Sequence, residues 1–159
     1  PKFYVVFLQG LSSEPIAKKY APQYKKWLGE HIRAVRAAGS VPVVIATWAP
    51  QDKPERTRQL ADATIEAANE HNALVVPVGL AFAESLKARP DLIMHAPDKS
   101  HPSAAGSYLY GAMMYAAVFK KSPEGTKFNE HCSKPIAEAD LKHLQAVAWK
   151  VTTEFYGWK

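Results

Sequence analysis

Cysteine is nearly absent from this sequence: Cys132 is the single one in 159 residues. One thiol excludes an intrachain disulfide and a metal centre built on thiolates, and it gives no sign of an oxidising compartment. Long apolar runs are missing as well. No stretch reaches the ~20 residues that a membrane-spanning helix needs, and no signal peptide is present, so no membrane role is expected. A mature secreted chain would have lost its signal. The compartment therefore stays open, with a secreted or periplasmic one favoured over the cytoplasm. Charge of one sign never clusters. The formal net charge is +5, from 20 Lys and Arg against 15 Asp and Glu, but the basic residues are scattered. This describes a mildly basic, solvated surface with no stripe for nucleic acid. Internal repeats and low-complexity tracts are also lacking. What remains is 47% hydrophobic and 22% charged, a globular composition in a chain long enough for one domain with a real core.

The order of elements alternates strand and helix. Phe3–Leu8 is an apolar run that predicts a buried strand ending at Gln9-Gly10. The chain enters this strand almost at once from Pro1, which suggests a processed chain, a fragment or numbering that starts inside a longer protein. Ile16, Tyr20, Tyr24, Trp27, Leu28, Ile32 and Val35 recur at helical spacing and predict a helix over 16–38, with Gly39 just past its end. Val41–Trp48 and Ala73–Val78 predict two further strands. Between them a helix is expected over 54–71, with Asp52 as its cap and Pro54 in its first turn. A short helix is expected over 79–88, then a brief apolar segment at Leu92–Met94, then helices over 103–119 and 138–156. Leu141, Leu144, Ala148, Val151 and Phe155 share one face of the last helix, most simply a packing face; residues 126–159 form a C-terminal extension to a single domain over 1–159. The expected fold is α/β, a three-layer α/β/α sandwich on a parallel sheet. In such sheets, sites lie at the carboxyl ends of the strands. The loops at Gln9–Glu14, Trp48–Lys53, Val78–Leu80 and Ala96–His101 should therefore share one rim.

Asp98 and His101 stand three apart on that rim, in a loop that enters a helix. A hydrolytic base needs an imidazole with one nitrogen free and a carboxylate on the other, which fixes the tautomer and stabilises the imidazolium. Three-residue spacing in a turn can supply both. Pro102 stiffens the backbone after the histidine, and Ala104, Ala105 and Gly106 let the helix approach closely. The simpler alternative is structural: Asp98 capping the turn, with Ser100 or Ser103 capping the helix. Trp48 ends a strand on the same rim, where it either packs into the helix layer or stacks on a sugar or acyl group. His31, His71, His95, His101, His131 and His143 include no pair at the i, i+4 spacing of a helical zinc site. No metal and no cofactor is expected. His95 is close enough in sequence to line the site.

The stretch Asp98-Lys-Ser-His101-Pro-Ser-Ala-Ala-Gly106-Ser-Tyr resembles the last block of the SGNH/GDSL hydrolases, D-x-x-H-P followed by a helical glycine. Val5-Val6-Phe7-Leu8-Gln9-Gly10-Leu11-Ser12-Ser13 resembles that family's third block in the branch that includes carbohydrate acetylesterases. The resemblance runs from Phe3 to about Phe119, roughly the back two-thirds of such a domain. It implies an α/β/α fold, hydrolysis of carbohydrate, lipid or small acyl esters, His101 as general base and Asp98 as its orienting carboxylate. It also implies Gln9, with Gly10, as part of an oxyanion hole, where one donor is worth roughly 3 kcal/mol. The family's first block, a strand ending in Gly-Asp-Ser, and its second, with an oxyanion glycine, have no counterpart here. The nucleophile is therefore expected from a preceding segment or a partner chain.

Two other readings stand beside this one. Ser12 or Ser13 would make the chain a self-contained hydrolase, although neither sits in a G-x-S-x-G elbow. A non-catalytic module of the same fold would bind a sugar or a protein. Three strands also leave open sheet edges. Either a second polypeptide segment completes the sheet, or the chain forms a homo-oligomer.

Overall fold

The computed structural model describes residues 3–11, 13–127 and 135–158. Pro1, Ser12, His131, Cys132 and most of the irregular stretch before Pro135 lie outside the described residues. Three strands form one parallel sheet in the order β1 (Val5–Leu8), β2 (Val41–Ile45), β3 (Leu74–Val76). Val5 pairs with Val41 and Leu8 with Val44, while Val43 pairs with Leu74 and Ile45 with Val76. The helices are α1 (Ala21–Ala37), α2 (Arg56–Asn69), α3 (Val78–Ala88), α4 (Ala104–Phe119) and α5 (Glu138–Tyr156).

Alternation along β2 sorts the layers. Val43 and Ile45 face a core shared with Phe82 of α3, Leu109 and Met113 of α4, and Leu144 and Val151 of α5. Val44 and Ala46 face a second core with Leu28 and Ile32 of α1 and Ala67 and Ala68 of α2. Both faces of β2 are therefore covered, as an apolar parallel strand requires. The architecture is the expected three-layer α/β/α arrangement. The last helix is an integral wall of the first core: Leu144 and Ala148 are fully buried.

Several boundaries differ from expectation, each for a local reason. The first helix starts at Ala21, with Pro22 in its opening turn, and not at Ile16. Pro22 has no N–H to donate to residue 18 and its ring clashes with that carbonyl, so the proline can only open the helix. Residues 13–20 wind through separate turns instead. The far end matches: Gly39, at φ +74°, follows the helix, with Gly39 N–H donating to Arg36 O and Ser40 N–H to Val35 O. This is a Schellman closure, which needs a left-handed residue. β2 stops at Ile45 because Ala46 O is taken by Gly79 N–H, at 2.9 Å, and no longer by a strand. Val78 likewise opens α3 and does not extend β3. Asp52 does not cap α2, whose N-cap position is Glu55, without a side-chain cap. Pro54 lies in the turn just before the helix. Leu92–Met94 forms no strand.

The two sheet edges are treated differently. Val76 O accepts from Ala46 N–H on the inner side, so Val75 O, one residue back, faces outward. The Tyr156 hydroxyl at the end of α5 donates to it at 2.6 Å, and burial pushes that phenol up to about 12. Among the described residues the β1 edge has no such cover. Tyr4 and Phe3 are exposed beside it. A groove of about 570 Å³ runs along one side, lined by Val5, Phe7, Met114, Tyr115, Val118 and Phe119 among others. Another of about 560 Å³ runs along the α1 side, past Gln9, Tyr24 and Trp27.

Tyr156→Phe removes the donor and leaves Val75 O without it. The expected loss is about 1–3 kcal/mol, read as a lower urea midpoint at unchanged slope. An unchanged midpoint would mean that water replaces the phenol at this edge.

Candidate active site

The loop 95–102 is built from the backbone outward. His95 and Pro102 form an isolated antiparallel bridge that closes its neck. Ala96 N–H donates to His101 O, and Lys99 N–H donates to Ala96 O. Lys99 has φ +62°, a left-handed conformation that costs a non-glycine residue roughly 1–2 kcal/mol. That turn aims the Ser100 and His101 amides at one atom, Asp98 Oδ1, at 2.9 Å each. The second oxygen, Oδ2, lies 2.6 Å from His101 Nδ1. Asp98 therefore caps the turn and orients the imidazole at once. The structural and the chemical roles of this carboxylate coexist.

These contacts govern its charge. The Ser100 N–H, then the His101 ring, then the His101 N–H hold the Asp98 carboxyl down to about 2. Nδ1 facing the carboxylate leaves His101 Nε2 open to the rim. The His101 side chain is 80% exposed and that of Asp98 51%. Among the described residues, no serine is hydrogen-bonded to His101.

The loop is clamped to the segment after β2. Trp48 Nε1–H donates to Ser100 O at 2.8 Å, Gln51 N–H to Lys99 O at 2.8 Å, and His95 Nε2 bonds Ala49 O at 3.0 Å. A carbonyl only accepts, so His95 carries its proton on Nε2. His95 is 5% exposed and stands edge-on to Phe82, which makes it a clamp and not a lining residue. Trp48 is 9% exposed and stacks on Phe82, with centroids 4.7 Å apart and planes 9° apart. The alternative of an open stacking platform for substrate is corrected: the indole packs, and its N–H anchors the loop between Asp98 and His101.

From the other side, α4 presses on the same loop. Ser103 is its N-cap, accepting from Gly106 N–H and donating to Ile93 O. A Cβ on Gly106 would lie 2.3 Å from Met94 O, so only glycine permits this approach.

Gln9 follows β1 directly and is exposed; Gly10 is half-buried. A Cβ on Gly10 would lie 2.8 Å from both Glu14 Oε2 and the Tyr24 ring. Glu14, which sequence reasoning did not single out, also accepts from Leu11 N–H and so pins this loop. Gln9 makes no hydrogen bond to His101. It is joined to the rim through Tyr110 of α4, whose hydroxyl donates to Gln9 Oε1 at 3.0 Å. The Tyr110 ring meets Trp48 edge-on at 6.1 Å. Tyr110 was also missed; as one of three tyrosines on an apolar helix, with Tyr108 and Tyr115, it reads as core.

Another serine and histidine do meet. Ser85 Oγ lies 3.1 Å from His143 Nε2. Ser85 is fully buried within α3, so substrate has no access and the pair is a core hydrogen bond. Ser13 lies in the turn after the Gln9 loop, where its carbonyl accepts from Ala17 N–H; Ser12 lies outside the described residues. Among the described residues no three His, Cys, Asp or Glu side chains gather as a metal site would require, and no helix is long and apolar enough to cross a membrane.

No protein-family model and no curated protein matches the sequence. Among solved structures, the chain is similar to the crystal structure of a DUF4886 family protein from Bacteroides uniformis, with a TM-score of 0.78 at 18% identity. The match covers 100% of this chain and 65% of that one. The likeness is one of fold, and this chain spans about two-thirds of the neighbour's length.

Two measurements probe the site's construction. In Gly106→Ala, overpacking of about 1–3 kcal/mol should outweigh a helix-propensity gain of about 1 kcal/mol, so the variant should melt lower. A melting temperature at or above that of the parent would show that α4 shifts freely. The Asp98 carboxyl is depressed in the folded chain, so its contribution to stability is present above the unfolded value near 3.9. It is lost as pH falls towards about 2. Asp98→Asn should remove that part of the acid dependence, seen by comparing unfolding curves between about pH 4 and pH 2.

Proposed function

We propose that this chain carries the base and orienting carboxylate of a serine ester hydrolase acting on carbohydrate or small acyl esters. The observation that carries the reading is the Asp98 Oδ2–His101 Nδ1 contact of 2.6 Å, with Nε2 left open on an exposed rim. The resemblance of residues 98–108 and 5–13 to the two SGNH/GDSL blocks supports it. A serine Oγ attacks the ester carbonyl carbon as its proton passes to His101 Nε2. Asp98 stabilises the imidazolium, and the Gln9 amide N–H donates to the new oxyanion. Collapse expels the alcohol, which takes the proton from Nε2. Water then repeats the sequence and releases the acid.

The serine is supplied by a second polypeptide segment that adds a strand to β1. Three features support this occupant. Among the described residues the β1 edge is unpaired on its outer side, both faces beside it are grooved and rich in apolar residues, and the opposite edge is closed by Tyr156. A strand added there would bring its carboxyl end next to Gln9, on the rim that bears His101.

The test uses the chain together with whatever polypeptide copurifies with it, identified by intact mass. A serine-directed fluorophosphonate should label that partner segment. His101→Ala should lower hydrolysis of p-nitrophenyl acetate by about 10²–10⁴-fold. No labelling, together with activity indifferent to His101→Ala, would remove the hydrolase reading. Ligand binding equal in parent and variant would then identify a non-catalytic sugar- or protein-binding module.

A further inference from the structure

By itself, Gln9 would be a weak oxyanion donor. It is exposed at the end of an edge strand, and a free glutamine side chain rotates about several bonds. Either end of its amide can face a substrate. If Oε1 faced the oxyanion, it would repel the charge that an oxyanion hole must stabilise. A fixed amide is needed, and the residue that can fix it is 101 positions away in the chain.

We infer that Tyr110 is the positioning residue for the Gln9 carboxamide, holding Oε1 so that both amide N–H groups are left for a developing oxyanion. The inference rests on the oxyanion reading of Gln9. The Tyr110 hydroxyl lies 3.0 Å from Gln9 Oε1. Burial raises the phenol above its ordinary value, so at neutral pH it is protonated and donates. A hydrogen bond donated to an amide oxygen also polarises the amide and strengthens its N–H donors.

Tyr110 is itself held. Its ring meets the Trp48 indole at 86°, a favourable edge-to-face contact. Trp48 is fixed between Phe82 and Ser100 O. One line of contacts therefore runs from Gln9 through Tyr110 and Trp48 to the backbone between Asp98 and His101. The donor and the base are referenced to the same indole, although they never touch.

Tyr110→Phe tests this, because it deletes the hydroxyl and keeps the ring against Trp48. The first readout is the side-chain amide pair of Gln9 in a ¹⁵N-labelled chain, identified by its loss in Gln9→Met. In the parent the pair should stand apart from solvent-exposed glutamines such as Gln51, and in Tyr110→Phe it should move to join them. The same bond is read from its other end by the Tyr110 Cζ resonance, which should move in Gln9→Met. Unmoved resonances in both variants would overturn the inference.

The second readout is ester hydrolysis by the chain with its copurifying segment. Tyr110→Phe should lower kcat by about tenfold at nearly constant KM, and should have no further effect once Gln9 is Met. An equal effect in both backgrounds would mean that Tyr110 does not act through Gln9. If the resonances move while the parent hydrolyses nothing, the positioning contact stands and the hydrolase reading falls.

Discussion

The rest of the molecule is hung on β2. Among the described strands it alone is paired along both edges, and its residues Val43 to Ile45 are buried on both faces of the sheet. Its side chains hold two cores at once. Where its pairing ends, its backbone is immediately re-used: Ala46 O takes Gly79 N–H, and Ala49 O takes His95. A Cβ on Gly79 would lie 2.2 Å from Thr47 O, so the start of α3 is pressed against the strand's exit. The rim is thus built from carbonyls and amides whose positions are set by the most deeply buried strand, which allows an exposed loop to hold a defined shape.

The aspartate–histidine loop illustrates how such a site stays ordered with little burial. Both side chains stay largely exposed, so the pair draws little from low dielectric. Its order comes from the backbone: a closed neck, a left-handed Lys99, and three bonds to the segment after β2. The local strain at Lys99 is offset by two amides converging on one carboxylate oxygen. The glycine at 106 contributes by absence, since any larger residue would push the loop away.

Much of the architecture was legible because it rests on periodicity. The valine-rich strands, the apolar faces of α1 and α5, and Gly39 as a helix terminator all follow from local pattern. Asp98 and His101 were legible because their contact is local as well, within a single turn. Strand ends were misjudged where the chain stays apolar after leaving the ladder, as at Ala46–Trp48 and at Val78, because burial by helices and burial by strands draw on the same residues. Glu14 escaped notice although its partner, the Leu11 N–H, is only three residues away; Tyr110 escaped notice because its partner, Gln9, is brought to it by tertiary packing. Trp48 was ambiguous for the same reason. Its two alternatives differ only in whether Phe82 arrives, and nothing near Trp48 in the chain announces that.

The unequal sheet edges have a consequence for how copies of this molecule could join one another. Fibre growth by strand addition requires two free edges per unit, one to accept and one to extend. With Tyr156 seated on Val75 at the β3 side, the described residues leave a single open edge, at β1, for this kind of contact. Two copies meeting β1 to β1 would pair the open edges of the described sheet and stop as a closed pair. Tyr156 thus acts as a chain terminator in the polymer sense.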